Sequence, residues 1–270
     1  MTESAAFGEQ SKRIRTDQPH TARIWNYWLG GKDNYEVDQQ AGDQIRRLHP
    51  GIGDYARADR QFLGRAVRHL AGEQGIRQFL DVGTGLPTAD NTHQVAQSVA
   101  PESRIVYVDN DPIVLAHAAA LLDSAPEGRT DYLDEDLRNA DSILEQAART
   151  LDFSEPVALM LLGVVIFIED DEEAYGIVRR FMGHLPKGSF LVLSHTVTRP
   201  DMPDVDAAVA FWNEHGTPKL TQRTPGAVAR FFDGLEVLTP GVVSCNHWRP
   251  GTTEGELPEV AMFGAVGRKS

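Results

Sequence analysis

The sequence predicts an α/β fold, a largely parallel sheet with helices on both faces and a helical segment in front of it. Three observations predict it. The stretch Gln78–Thr88 reads as a buried strand running into a Gly-x-Gly turn, and such a junction presents backbone N–H groups to a ligand. Short apolar, β-favouring runs then alternate with helical patterns from Ile76 to Ser194, the rhythm of a parallel sheet. Three helical patterns precede the first strand.

The first of these follows a polar, aperiodic stretch of about eighteen residues, expected to be loose. In Thr21–Leu29 the pairs Ile24/Trp28 and Trp25/Leu29 stand at i,i+4, and Gly30-Gly31 ends the helix. Asp33 and Glu36 suggest a capping box for a helix over Tyr35–Leu48. A third helix over Tyr55–Ala71 aligns Phe62, Leu63, Val67 and Leu70. This extension, residues 1–72, either covers sheet surface or closes as a lid hinged at Gly30-Gly31.

Residues 73–270 complete the same structural unit. Expected strands are Ile76–Val82, Arg104–Asp109, Thr130–Leu133, Val157–Leu162 and Ser189–Ser194. The helices between them are expected over Pro87–Ala100, Pro112–Leu122, Asn139–Thr150 and Asp171–Leu185, with Pro87 at a first helical position. Two helices follow, one carrying Val205, Val209 and Trp212, the other near Ala227–Phe232. Two β-rich stretches, Leu235–Val243 and Val260–Gly267, predict a terminal antiparallel hairpin, and the Gly-, Thr- and Pro-rich connection Ser244–Pro258 an exposed loop.

Composition narrows the function. The formal net charge of -13 over 270 residues argues against nucleic acid and anionic membrane partners. No apolar run reaches a membrane-spanning length, and Met1–Gln10 lacks a signal-peptide pattern. Cys245, the one cysteine, leaves no internal disulfide, so a cytoplasmic protein is expected. No His, Asp and Glu cluster has metal-ligand spacing, so no metal is expected.

The glycine turn selects its ligand. Thr88 stands where a dinucleotide fingerprint has its third glycine, and Asp81 before the turn repels a pyrophosphate while suiting an ammonium group. Asp109 follows at the end of the second strand, about two dozen residues on, where an acidic residue accepts from ribose hydroxyls. The bland alternative, that Asp109-Asn110-Asp111-Pro112 only caps the next helix, suits Asp111 better than Asp109. Asp136, after the third strand, shares the same rim and suits an adenine amino group. A ligand with ammonium, ribose and adenine but no phosphate is S-adenosylmethionine.

Phe79–Thr88 and Val106–Pro112 resemble the S-adenosylmethionine methyltransferase-like family long catalogued as a domain of unknown function. The resemblance extends to Ala22-Arg23 through Tyr27, Leu29–Asn34, Arg57–Arg60, Asp136–Arg138 and Ser194-His195. It implies the class I, Rossmann-like methyltransferase fold: a seven-stranded sheet whose last strand is antiparallel, under an N-terminal helical cap. It implies S-adenosylmethionine bound at Asp81, Gly83, Asp109 and Asp136. Thr84, Gly85, Asn110, Leu137, Tyr27, Gly30 and Arg60 complete the expected cofactor site. Similar sequences tend to carry a histidine where this chain has Ile166, so no general base carries over at that position.

Methyl transfer from a sulfonium needs positioning more than acid–base help, although an oxygen acceptor gains from a base. Glu169, Asp170, His195 and His247 are the candidates. The acidic pair also reads as a helix start, and a loop histidine as a surface group; His195, at the end of the fifth strand, is the best placed. Arg23, Arg57 and Arg60 are candidate carboxylate clamps or solvated helix faces. Trp25, Tyr27, Trp28 and Tyr35 either line a pocket or pack the cap. An Asn-Pro-Pro-Tyr-like signature of base methylation is absent after the fourth strand. The resulting expectation is an S-adenosylmethionine-dependent methyltransferase acting on a small organic molecule. A non-catalytic S-adenosylmethionine- or S-adenosylhomocysteine-binding module and an NAD-dependent oxidoreductase are the rival readings.

Overall fold

The structure, a computed structural model, describes residues 15–88, 90–121, 124–251 and 257–270. Most of the terminus expected to be loose, the helix end at Leu122 and residues 252–256 of the glycine- and proline-rich connection lie outside them. Among the described residues no helix is long and apolar enough to cross a membrane.

Three helices come first: α1 (Thr21–Trp28), α2 (Glu36–Leu48) and α3 (Ile52–Gly72). The alternating part follows as β1 (Gln78–Val82), α4 (Thr92–Val99), β2 (Arg104–Asp109), α5 (Pro112–Leu121), β3 (Arg129–Asp134), α6 (Ala140–Ala147), β4 (Ala158–Leu162), α7 (Asp171–His184) and β5 (Phe190–Thr196). Then come α8 (Pro203–His215), α9 (Pro225–Ala229) and the strands β6 (Glu236–Val237), β7 (Val243–Ser244) and β8 (Met262–Arg268).

The sheet runs β3-β2-β1-β4-β5-β8-β6, with β8 antiparallel to β5 and the first five strands parallel. All five residues of β1 and all seven of β5 are buried, because helices cover both faces of a parallel sheet. The expected terminal antiparallel hairpin forms at the sheet edge: β6 and β7, from the first β-rich stretch, both pair antiparallel with β8, from the second. β5 pairs with β8 along its whole length, so β6 and β7 share β8's other edge. The sheet thus has eight strands where seven were expected, the outermost place being filled by two two-residue pieces. Leu238–Val242 interrupts them, bulging around Pro240 and Gly241, where φ is +94°.

Order reverses between β1 and β4, so their carboxyl ends diverge and leave a crevice, the usual ligand position in an open α/β sheet. α3 roofs this sheet end. Its Phe62, Val67 and Leu70 are buried, and Phe62 meets the Trp248 ring edge-on at 5.3 Å.

Two expected helix starts move. The Asp33/Glu36 box is replaced by Tyr35 and Asp38, because Asp38 turns inward while the Asp33 N–H donates to Asn26. α4 starts at Thr92 instead of Pro87. Asn91 caps it and donates its own N–H to the Gln94 side-chain oxygen, and Asp90 sits at φ +61°, where no helix continues. Pro87 therefore lies in a longer loop after the glycines.

Asp38 joins α1 to α2. Fully buried, it accepts from the His20 N–H at 2.9 Å, Arg23 Nε at 2.7 Å and the Tyr35 N–H at 2.9 Å. Arg23 is buried with it. Removing one partner of a buried ion pair leaves the other charge uncompensated. Asp38→Ala is therefore expected to destabilise the protein by about 3–5 kcal/mol, read from urea unfolding, with hydrogen exchange rising first across residues 20–48.

Candidate functional site

A cleft of about 470 Å³ opens at the carboxyl ends of β1 to β4, closed by α1 and α3. It holds nine of the residues expected to bind cofactor: Asp81, Gly83, Thr84, Gly85, Asp109, Asn110, Asp136, Leu137 and Arg60.

The turn after β1 is shaped by its glycines in two different ways. Both are left-handed, Gly83 at φ +79° and Gly85 at φ +67°. A Cβ on Gly83 would lie 2.3 Å from Val164 Cγ2, so Gly83 is needed for the approach of the β4 loop. A Cβ on Gly85 would meet nothing within 4 Å, so Gly85 is the glycine whose open face belongs to the cleft. Its N–H donates to Asp109 at 2.8 Å, and the Asp111 N–H donates to the other Asp109 oxygen at 3.0 Å. Asp109 thereby ties the end of β2 to the β1 turn. Beyond it, Asn110 Nδ2 donates to Asp136 at 3.1 Å, joining the ends of β2 and β3.

Asp81, the last residue but one of β1, has its carboxylate buried, taking the Thr92 hydroxyl at 2.6 Å. Asp59 reaches in from α3 and takes the Ser194 hydroxyl at 2.6 Å. Burial pushes Asp59, Asp81 and Asp109 each up to about 6, since desolvation disfavours the charged form. Arg60 opposes this at Asp59 and Asp81, the hydrogen bonds oppose it at all three, and neighbouring carboxylates reinforce it at Asp81 and Asp109. With Asp111, Glu135 and Asp136 also on its wall, against Arg60 and Arg138, the cleft is acidic. Such a wall favours a cationic ligand.

Other expected residues lie elsewhere. Tyr27 turns to α2, donating to Asp43 at 2.8 Å, and Gly30 ends α1 outside the cleft. Gly31 is packed: a Cβ there would lie 2.3 Å from Asn26. Their α1 neighbours Trp25, Asn26 and Leu29 line the wall instead. His195 is not brought to the cleft either. It is fully buried, its Nδ1 on the Thr196 carbonyl and its Nε2 2.8 Å from Arg223, which cancels its candidacy as a base. Desolvation lowers His195 to about 4. Asp170 caps α7, Glu169 is exposed beside it, and His247 is exposed next to Leu257. Arg23 is spent on Asp38 and Arg57 on Asp54.

Sequence reasoning gave no role to Asp59, His20 or Thr92. Asp59 had a legible signal, a carboxylate on the apolar face of α3 between Tyr55 and Phe62. His20 pairs with Asp111 at 2.9 Å from just before α1, a contact with no local signal.

Against known proteins, the S-adenosyl methyltransferase family matches residues 7–270. A DUF574 family protein from Streptomyces avermitilis is 45% identical, with a TM-score of 0.92, over 96% of this chain and 100% of that one. A candidate methyltransferase from Thermobifida fusca is 38% identical, with a TM-score of 0.87, over 94% and 97%. The magnesium protoporphyrin IX methyltransferase from Synechocystis, bound to S-adenosylhomocysteine, is 12% identical with a TM-score of 0.55 over 92% and 93%, a likeness of fold. No curated protein matches.

The buried carboxyls give a pH prediction. Asp81 is raised from 3.8 to about 6 on folding, so its contribution is intact below the unfolded value and is lost as pH rises through about 6. Asp81→Asn, neutral throughout, is expected to stabilise the ligand-free protein by roughly 1–3 kcal/mol at pH 7 and to leave it nearly unchanged at pH 4. Urea unfolding at both values checks this.

Proposed function

The chain belongs to the S-adenosyl methyltransferase family, enzymes that take their methyl group from S-adenosylmethionine, and we propose that its acceptor is a small, largely apolar organic molecule. The observation that carries this reading is a second pocket of about 100 Å³ contiguous with the cleft. The two share Thr21, Trp25, Gly163 and Phe167. Its wall is mostly aliphatic and aromatic, including Trp28, Ile45, Val205 and Trp212. That is the wall of a site for an apolar small molecule and a poor match to a polynucleotide.

The residues present fit the cofactor. The open face of Gly85 and the acidic wall suit a ligand carrying a sulfonium and an ammonium group. In our reading Asp109 accepts from the ribose hydroxyls, while Asp136 and the Leu137 N–H take the adenine edge. Asp81 faces the cationic amino-acid end, and Arg60 offsets its carboxylate. The cofactor supplies an activated methyl on sulfur, and the protein's part is alignment and dryness. Trp25 and Phe167, on both pockets, form the partition across which the acceptor is aligned.

Two measurements test the reading. In calorimetry with S-adenosylhomocysteine, Asp109→Ala is expected to weaken binding by about 1–3 kcal/mol; unchanged affinity removes Asp109 from the ribose. With labelled S-adenosylmethionine, transfer is expected into pooled apolar hydroxy and amino compounds and not into RNA, DNA or protein. Label appearing in a macromolecule instead would overturn the small-molecule assignment.

A further inference from the structure

The apolar pocket contains one arrangement that its apolar wall does not require. His49, the residue that ends α2, lies on that wall with its side chain 13% exposed. Its Nδ1 is hydrogen-bonded to Asp204, from the first turn of α8. Its Nε2 is buried and has no hydrogen-bond partner. The ring is held edge-on against Tyr55, centroids 6.4 Å apart at 89°. Nearby on the wall, the Tyr55 and Thr196 hydroxyls are bonded to each other.

We propose that His49 is the general base of the methyl transfer, oriented by Asp204, and that the accepting atom is a hydroxyl oxygen on an apolar scaffold. This rests on reading the apolar pocket as the acceptor site. A carboxylate on Nδ1 keeps the proton there and leaves the Nε2 lone pair free. A buried imidazole nitrogen without a partner is costly to maintain, and an acceptor O–H supplies the donor it lacks. Burial raises the Asp204 carboxyl, but its hydrogen bond with His49 pulls it below the usual range. Asp204 therefore stays ionised and steadies the imidazolium once the proton arrives. As the acceptor oxygen forms its bond to the methyl carbon, the C–S bond breaks and its electrons neutralise the sulfur. The hydroxyl proton passes to His49 Nε2 and leaves later to solvent. Nucleophile, base and orienting carboxylate then stand in the usual order. Tying α2 to α8 would require only the Nδ1 bond.

Nitrogen NMR of the full chain labelled with ¹⁵N-histidine tests this, His49 being assigned by the signal lost in His49→Gln. The neutral Nδ1–H tautomer is expected. Phenol, added with saturating S-adenosylhomocysteine, is expected to move the Nε2 resonance at least several-fold more than toluene, which has the shape without the hydroxyl. Asp204→Asn is expected to remove most of that difference. An Nε2–H tautomer, equal responses to the two probes, or none to phenol overturns the proposal. Calorimetry on the same sample reports S-adenosylhomocysteine binding separately, and the probe comparison is repeated without it. Lost binding there counts against the cofactor site, and the phenol response alone judges His49.

Discussion

Burying Asp59 and Asp81 and half-burying Asp109 at one end of the sheet takes water from these carboxyls, and the fold offsets only part of that cost. Asp59 and Asp81 each receive one hydroxyl, and Asp109 receives two backbone N–H groups. Arg60 is the cation that acts on two of them. An incompletely compensated acidic cleft is the condition to which the surrounding elements are fitted: the crevice between β1 and β4, the roof of α3, and α1 alongside. A bound cation lowers the energy of all three carboxylates together. Stability and cofactor affinity are therefore opposed in the empty protein and aligned in the loaded one.

The same logic explains how the N-terminal helices reach the site. His20 gives its backbone N–H to Asp38, the buried hub that joins α1 to α2, and its ring to Asp111 beside the β2 end. One residue thus links the packing of the first two helices to the rim of the cleft. α3 is joined independently, through Asp59 to Ser194 on β5.

Much of this was legible in the sequence, for identifiable reasons. Strands buried on both faces read as short apolar runs, so β1, β2, β4 and β5 lay where Phe79, Val106, Leu159 and Leu191 place them. Asp81, Asp109 and Asp136 were readable because each stands within two residues of a strand's carboxyl end, a position the alternation fixes. What failed depended on partners far along the chain. Pro87 resembles a helix start until Asn91 and Gln94 are seen to make the cap. His195 resembles a loop base until Arg223 is seen to hold its ring. His49 and Asp204, 155 residues apart, share no local pattern; only the packing of α2 against α8 brings them together.

The divided outer strand bears on how the protein behaves among its own copies. A sheet ends in unpaired N–H and C=O groups, and a long flat edge invites another strand to add. Here one edge offers only two two-residue pieces out of register with each other, so no continuous template exists along it. The other edge, β3, carries Arg129, Asp131 and Asp134, and Asp131 is drawn back to Thr150 by a 3.0 Å hydrogen bond. Both described borders of the sheet are therefore poor starting points for edge-to-edge growth.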